Sequence, residues 1–219
     1  MRRKDCKSKI VCRLLAAFQI SLDFFFHFFL LFEGFVFWRF HISGNAAWLA
    51  IFLLSPYLLP LLCFRVLNLF FPIGEDRFFY GDDCYSPWLG YYKLQNIFYC
   101  FPFLERILIL LRVYSFWLRL WGAKIGKNVG WTGHVVVGDR ANISVGDNCM
   151  FGHHVVLFSH LVKPTRKGRL LFFIKNITIE KNCFIGGLSV IGPGVHIQQG
   201  SIVPAGSHLH PNKRISRED

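Results

Sequence analysis

Residues 177–209 read ITIEKNCFIGGLSVIGPGVHIQQGSIVPAGSHL, and an aliphatic residue returns there at every sixth position: Ile179, Ile185, Ile191, Ile197, Val203 and Leu209. Two residues ahead of each stands a mostly small or β-branched one: Ile177, Cys183, Ser189, Val195, Ser201 and Ser207. A period of six matches neither the 3.6 of a helix nor the 2 of an ordinary strand. It matches a parallel β-helix, in which each hexapeptide forms one side of a coil and its aliphatic residue points inward. Three hexapeptides close one triangular coil, and stacked coils align the inward residues into ladders. Working back along the chain, Ile125, Trp131, Val137 and Ile143 share one phase, and Val145, Phe151 and Leu157 share a second. The eight-residue step from Val137 to Val145 predicts a bulge or small extrusion near Ile143. Between Leu157 and Ile177 the period vanishes and Lys163, Pro164, Arg166, Lys167, Gly168 and Arg169 cluster, which predicts a loop (159–176) thrown out of the coil.

The other half of the chain is built for a different solvent. The protein has 219 residues, is 53% hydrophobic and contains 25 Phe, most of them before residue 120. Leu14 to Phe37 is long enough to cross a bilayer, although it carries Asp23, His27 and Glu33. Ala46 to Phe64 holds no charge and is interrupted by Pro56 and Pro60. The first apolar segment is too long for a secretory signal and meets no small-residue cleavage site before Trp38. A two-span membrane hairpin is therefore expected over 1–71, behind a basic N-terminus. Arg2, Arg3, Lys4, Lys7, Lys9 and Arg13 oppose a single acid, Asp5. The positive-inside rule keeps that end cytoplasmic, and two crossings return the repeats to the same side of an inner membrane.

From 72 to 121 the expectation is an aromatic interfacial segment and then an amphipathic helix over Phe98–Trp121, with Glu105, Arg112 and Arg119 on one narrow polar face. The β-helix is assigned to 122–209 and a polar tail to 210–219. The formal net charge of +12 fits anionic lipid headgroups and acidic ligands. No recognition-helix or aromatic RNA-binding pattern is present, so nucleic acid is not expected as a partner. The seven cysteines show no CxxC spacing, and Cys149 and Cys183 sit where the repeat asks for a small residue.

Of the polar residues near the repeats, His160 stands out, because it lies where the chain leaves the coil for the basic loop. An imidazole there has a pKa suited to taking a proton from a hydroxyl. His153 and His154 are adjacent and point to opposite faces. His134, His196 and His208 fall at outward positions and receive no role.

At these residues the chain resembles the hexapeptide-repeat acyltransferases of the left-handed parallel β-helix superfamily. The resemblance covers roughly Ala123 to Leu209 and is strongest at 145–155 and 183–195, which look like the paired motifs flanking the extruded loop of maltose- and galactoside-type O-acetyltransferases. The stretch 117–126 also looks like the entry to membrane-anchored members that modify cell-envelope glycans. The resemblance implies a homotrimer with active sites between subunits, an acetyl-CoA or longer acyl-CoA donor, no metal, and a glycan or lipid-linked sugar as acceptor. By position it implies His160 as general base and Gly187 as the amide nearest the thioester. It also implies Pro204, Ala205 and Gly206 as the coil edge along which the pantetheine arm lies. The acetyltransferases compared place their His two residues further on, at the position of Val162. Their Gly-Asn-Pro-Ala segment after the repeats is absent here. Two other readings share the fold: a membrane-bound scaffold without catalysis, and a γ-class carbonic anhydrase, whose His-x4-His pair this chain lacks.

Overall fold

The computed structural model describes residues 9–80 and 86–217, with side chains from residue 24 onward. The basic residues before Lys9 and the side chain of Asp23 lie outside those described. The chain divides into two compact units, residues 1–72 with 82–101, and residues 73–81 with 102–219.

In the first unit, α1 (Lys9–Ser43) and α2 (Ala46–Phe70) are joined by a tight turn. Asn45 caps α2, its side-chain oxygen accepting from the Ala47 N–H at 2.9 Å. Phe24–Ser43 and Ala46–Phe70 are long and apolar enough to cross a membrane, with mean hydropathies of 1.3 and 2.0. Glu33 is buried and accepts a hydrogen bond from the Ser55 hydroxyl of α2, a polar tie between the two helices. The third helix, α3 (Pro87–Cys100), packs on both. Trp88 and Tyr91 are buried in this unit, with Tyr91 edge-on to Phe64 at 5.1 Å.

The second unit opens with β1 (Asp76–Phe79), followed by α4 (Phe103–Leu110) and α5 (Tyr114–Leu120). The single helix expected over Phe98–Trp121 is thus several pieces. The chain breaks between α4 and α5 at Arg112, whose φ is 60°, although no Gly or Pro marks the place. Glu105, Arg112 and Arg119 consequently share no face. Glu105 turns to Arg140, and Arg119 donates to the carbonyls of Ile125 (2.8 Å) and Gly126 (2.6 Å).

Short parallel strands then follow at hexapeptide spacing: β2 (Lys124–Ile125), β3 (Gly130–Trp131), β4 (Val136–Val137), β5 (Ile143–Val145), β6 (Met150–Phe151) and β7 (Val156–Leu157). After an excursion formed by β8 (His160–Pro164) and β9 (Leu170–Ile174) come β10 (Ile177–Ile179), β11 (Phe184–Ile185) and β12 (Val190–Ile191). The last coils hold β13 (His196–Ile197), β14 (Ile202–Val203), β15 (His208–Leu209) and β16 (Arg214–Ile215). Three parallel sheets result, in the orders β16-β13-β10-β5-β2, β14-β11-β6-β3 and β15-β12-β7-β4. The strand register stacks the inward residues into three ladders, as a parallel β-helix requires. They run Ile125–Val145–Ile179–Ile197–Ile215, Trp131–Phe151–Ile185–Val203 and Val137–Leu157–Ile191–Leu209. All but Trp131 and Leu209 are buried. Trp131 stacks on Phe151 at 4.5 Å and closes one end of its ladder.

Two expectations at the edges of the repeat change. Arg214 and Ile215 form a strand against β13, so the coil runs on into the segment read as a polar tail. The excursion read as a loop is an antiparallel hairpin of β8 and β9, extended by β1 on its far side. Phe78 is buried there and stacks on Phe172 at 5.0 Å.

Candidate active site

The step of eight residues between Val137 and Val145 is where the site begins. Two residues more than a hexapeptide are accommodated there by a 3₁₀ turn over Arg140–Asn142, entered through Asp139 in the left-handed region at φ 44°. Asp is among the few residues that enter this region readily. The side chains of both Asp139 and Arg140 are fully covered. A buried charge is tolerable only when paired. Arg140 meets Glu105 of α4 with Nη2–Oε1 2.8 Å and Nε–Oε1 3.0 Å, and its guanidinium lies 5.6 Å from the centre of the Trp121 ring. The Trp117 indole N–H donates to the same Glu105 oxygen at 3.2 Å.

Asp139 finds its partner in His160, with Asp139 Oδ2 2.5 Å from His160 Nδ1. The histidine is the first residue of β8 and pairs with Ile174 at the foot of the hairpin. Lys175 N–H donates to the Ser159 carbonyl at 2.9 Å and ties that foot shut. The His160 side chain is 19% exposed, and its ring stands edge-on to Phe158 at 5.4 Å. A carboxylate can only accept, so the proton between the pair belongs to Nδ1 when the imidazole is neutral. Nε2 then carries the lone pair, which is the protonation state a general base needs.

Gly187 lies on a different corner of the coil. The Leu188 N–H donates to the His153 carbonyl and the Gly206 N–H to the Gly187 carbonyl, each at 2.8 Å. This corner is therefore one vertical column holding Gly133, His153, Gly187 and Ala205–Gly206. At the residues just before this column the coils stack too closely for a side chain: a Cβ at Gly152 would lie 2.4 Å from Gly187 N, and one at Gly186 2.3 Å from Ala205 N. The Gly187 N–H donates to no backbone carbonyl among the described residues. Pro204, Ala205 and Gly206 form an exposed turn one coil further on.

The structure thus joins His160 to Asp139 but does not bring His160 to Gly187. Gly187 stands beside His153, and β7, one side of a coil, runs between His153 and His160, roughly 15 Å by strand rise. Of the basic residues on the excursion, Arg169 lies 4.3 Å over the Phe79 ring, while Arg166 and Lys167 are exposed near the hairpin turn. Cys149 and Cys183 occupy equivalent buried positions in successive coils, their thiols donating to the Glu180 (3.0 Å) and Gln198 (3.1 Å) carbonyls. Among the described residues, no three His, Cys, Asp or Glu side chains converge as a metal ion would require.

A family profile described as the hexapeptide repeat of succinyl-transferase matches residues 176–210. The chain is similar to the galactoside O-acetyltransferase of Lactococcus lactis, with 34% identity over 90 residues, covering 37% of this chain and 44% of that protein. The chain thus spans less than half the length of this curated relative. Among solved structures, it is similar to a hexapeptide-repeat-containing acetyltransferase of Vibrio cholerae complexed with acetyl-CoA. That likeness has 25% identity and a TM-score of 0.36, over 42% of this chain and 54% of the other. It is also similar to a galactoside acetyltransferase in complex with coenzyme A, with 20% identity and a TM-score of 0.33, over 50% and 74% of the two chains. The matched profile falls on the last hexapeptide coils, from β10 to β15.

Proposed function

We propose that this hexapeptide-repeat protein is an acyl-CoA-dependent O-acyltransferase, with acetyl-CoA as the first donor to test and a sugar hydroxyl as acceptor. The observation that carries the reading is the His160–Asp139 pair, a partly exposed imidazole held in one tautomer by a buried carboxylate. The acceptor hydroxyl oxygen attacks the thioester carbonyl carbon while its proton passes to His160 Nε2. Asp139 stabilises the imidazolium that forms. An N–H donor stabilises the tetrahedral oxyanion, and the Gly187 amide is free to play that part. Collapse breaks the carbon–sulfur bond, and the imidazolium returns its proton to the leaving thiolate. No acyl-enzyme is formed.

Because His160 and Gly187 stand a coil side apart in one protomer, the reading calls for a left-handed β-helix in a homotrimer, with His160 of one subunit facing the Gly187 column of the next. Pro204, Ala205 and Gly206 then border the pantetheine arm, and Lys163, Arg166 and Lys167 supply positive charge for CoA phosphates. The two apolar helices support an anchor in the inner membrane, with the β-helix on the cytoplasmic side and a cell-envelope glycan or lipid-linked sugar as acceptor. Calorimetric titration of the detergent-solubilised chain with acetyl-CoA and longer acyl-CoAs is expected to show one site per protomer. Absence of binding by every acyl-CoA would overturn the reading in favour of a scaffold.

A further inference from the structure

The Gly187 column carries basic side chains that the mechanism above leaves unused. His134 and His154 occupy the same turn position in successive coils, with φ of 64° and 58°. Their rings lie nearly parallel, with centroids 4.7 Å apart and planes 15° from each other. His153 is fixed beside them, its Nδ1 donating to the Gly133 carbonyl at 2.9 Å. All three histidines are exposed, and so is Arg106 of α4. The pKa of His134 is lowered, first by the charge of Arg106, then by burial, then by His154 and His153, and no carboxylate is among the groups acting on it. Groups of one sign held together without a counter-charge repel each other, and a bound anion relieves that repulsion.

We infer that His134, His154 and Arg106 form a subsite for a phosphate group of the acceptor. The assignment to the acceptor rests on the transferase reading. With the pantetheine arm along Ala205–Gly206 and the thioester at Gly187, the histidine stack lies on the opposite side of Gly187, where the attacking substrate must stand. A sugar phosphate or a polyprenyl-diphosphate-linked sugar carries the required chemistry. Binding should tighten as pH falls below the ordinary imidazole range, because the anion favours the protonated form of His134, whose pKa lies below its usual value, and the complex takes up a proton there.

The test is calorimetry on the full detergent-solubilised chain, with inorganic pyrophosphate and geranylgeranyl pyrophosphate as probes, each with and without saturating acetyl-CoA. The variants are His134→Asn with His154→Asn, and Arg106→Gln. Asn stands at the equivalent turn positions Asn128, Asn148 and Asn182, so the paired variant keeps a turn the fold already uses. The expected result is pyrophosphate binding that weakens about tenfold or more in the paired variant and in Arg106→Gln, with acetyl-CoA affinity unchanged. Tighter binding of the prenyl probe would support the inference with a lipid-linked acceptor, and equal binding would support it with a soluble one. Equal pyrophosphate affinity in wild type and variants would overturn the subsite while leaving the transferase reading standing. Mutually exclusive binding of pyrophosphate and acetyl-CoA would also overturn it, by giving the cluster to the donor's phosphates. If wild type binds pyrophosphate but no acyl-CoA, the transferase reading fails and the acceptor assignment falls with it.

Discussion

From Ile179 through Ile197 to Ile215 the β-helix advances eighteen residues per coil, whereas between Val137 and Ile179 it departs from hexapeptide spacing twice. In the regular coils the inward residues are aliphatic, and nearly all are fully covered. They make a ladder whose work is burial, with little chemistry on offer. In the irregular coils the two departures deliver the polar pair. The 3₁₀ turn after Val137 buries Asp139 and Arg140, and the hairpin after Leu157 carries His160 at its foot. A repeat supplies a rigid frame, and the paired Asp139 and His160 enter where the repeat is interrupted, because there the chain gains residues beyond the hexapeptide.

The contrast can be broken at either end. The largest effect is expected from His160→Ala, which should lower acyl transfer per folded molecule by about 10²–10⁴-fold while acyl-CoA binding stays in place. Unchanged turnover would remove the irregular coils from the account. In the regular coils, Ile185→Ala empties a fully buried position between Phe151 and Val203. It should cost about 3 kcal/mol in denaturant unfolding and leave turnover per folded molecule near wild type. Asp139→Asn tests whether the carboxylate acts on its histidine. Turnover should fall on the order of a hundredfold with little change in acyl-CoA affinity, since Asn can hold the left-handed turn but cannot stabilise an imidazolium. The smallest effect belongs to the hairpin turn. Arg166→Ala with Lys167→Ala should raise the acyl-CoA Kd about threefold at low salt, and the difference should shrink at 0.5 M salt, as for exposed charges.

The ladders were legible in the sequence because inward residues repeat at a period no other element produces. The eight-residue step was equally legible as an interruption, and it marked the place of Asp139. It did not mark the role, because the Asp139–His160 contact joins residues 21 apart through a turn and a hairpin that no periodicity encodes. Glu105 misled for a related reason. Its spacing from Arg112 and Arg119 reads as a helical face, but the helix ends at Leu110, and Glu105 answers a buried Arg140 thirty-five residues away. The excursion read as a loop because its basic residues dominate the composition. Its strands are completed by β1, whose Phe78 and Phe79 pair with Phe172 and Leu171 of β9. Across these cases local pattern is readable, and partners chosen by tertiary pairing are not.

The central claim is that His160, held by Asp139, takes the acceptor's proton. It is tested most directly by following thioester cleavage of acetyl-CoA by wild type and His160→Ala, with water as surrogate acceptor and both proteins shown to bind acetyl-CoA equally. The account predicts slow cleavage by wild type and cleavage at the uncatalysed rate by His160→Ala. Equal cleavage by the two proteins would contradict it.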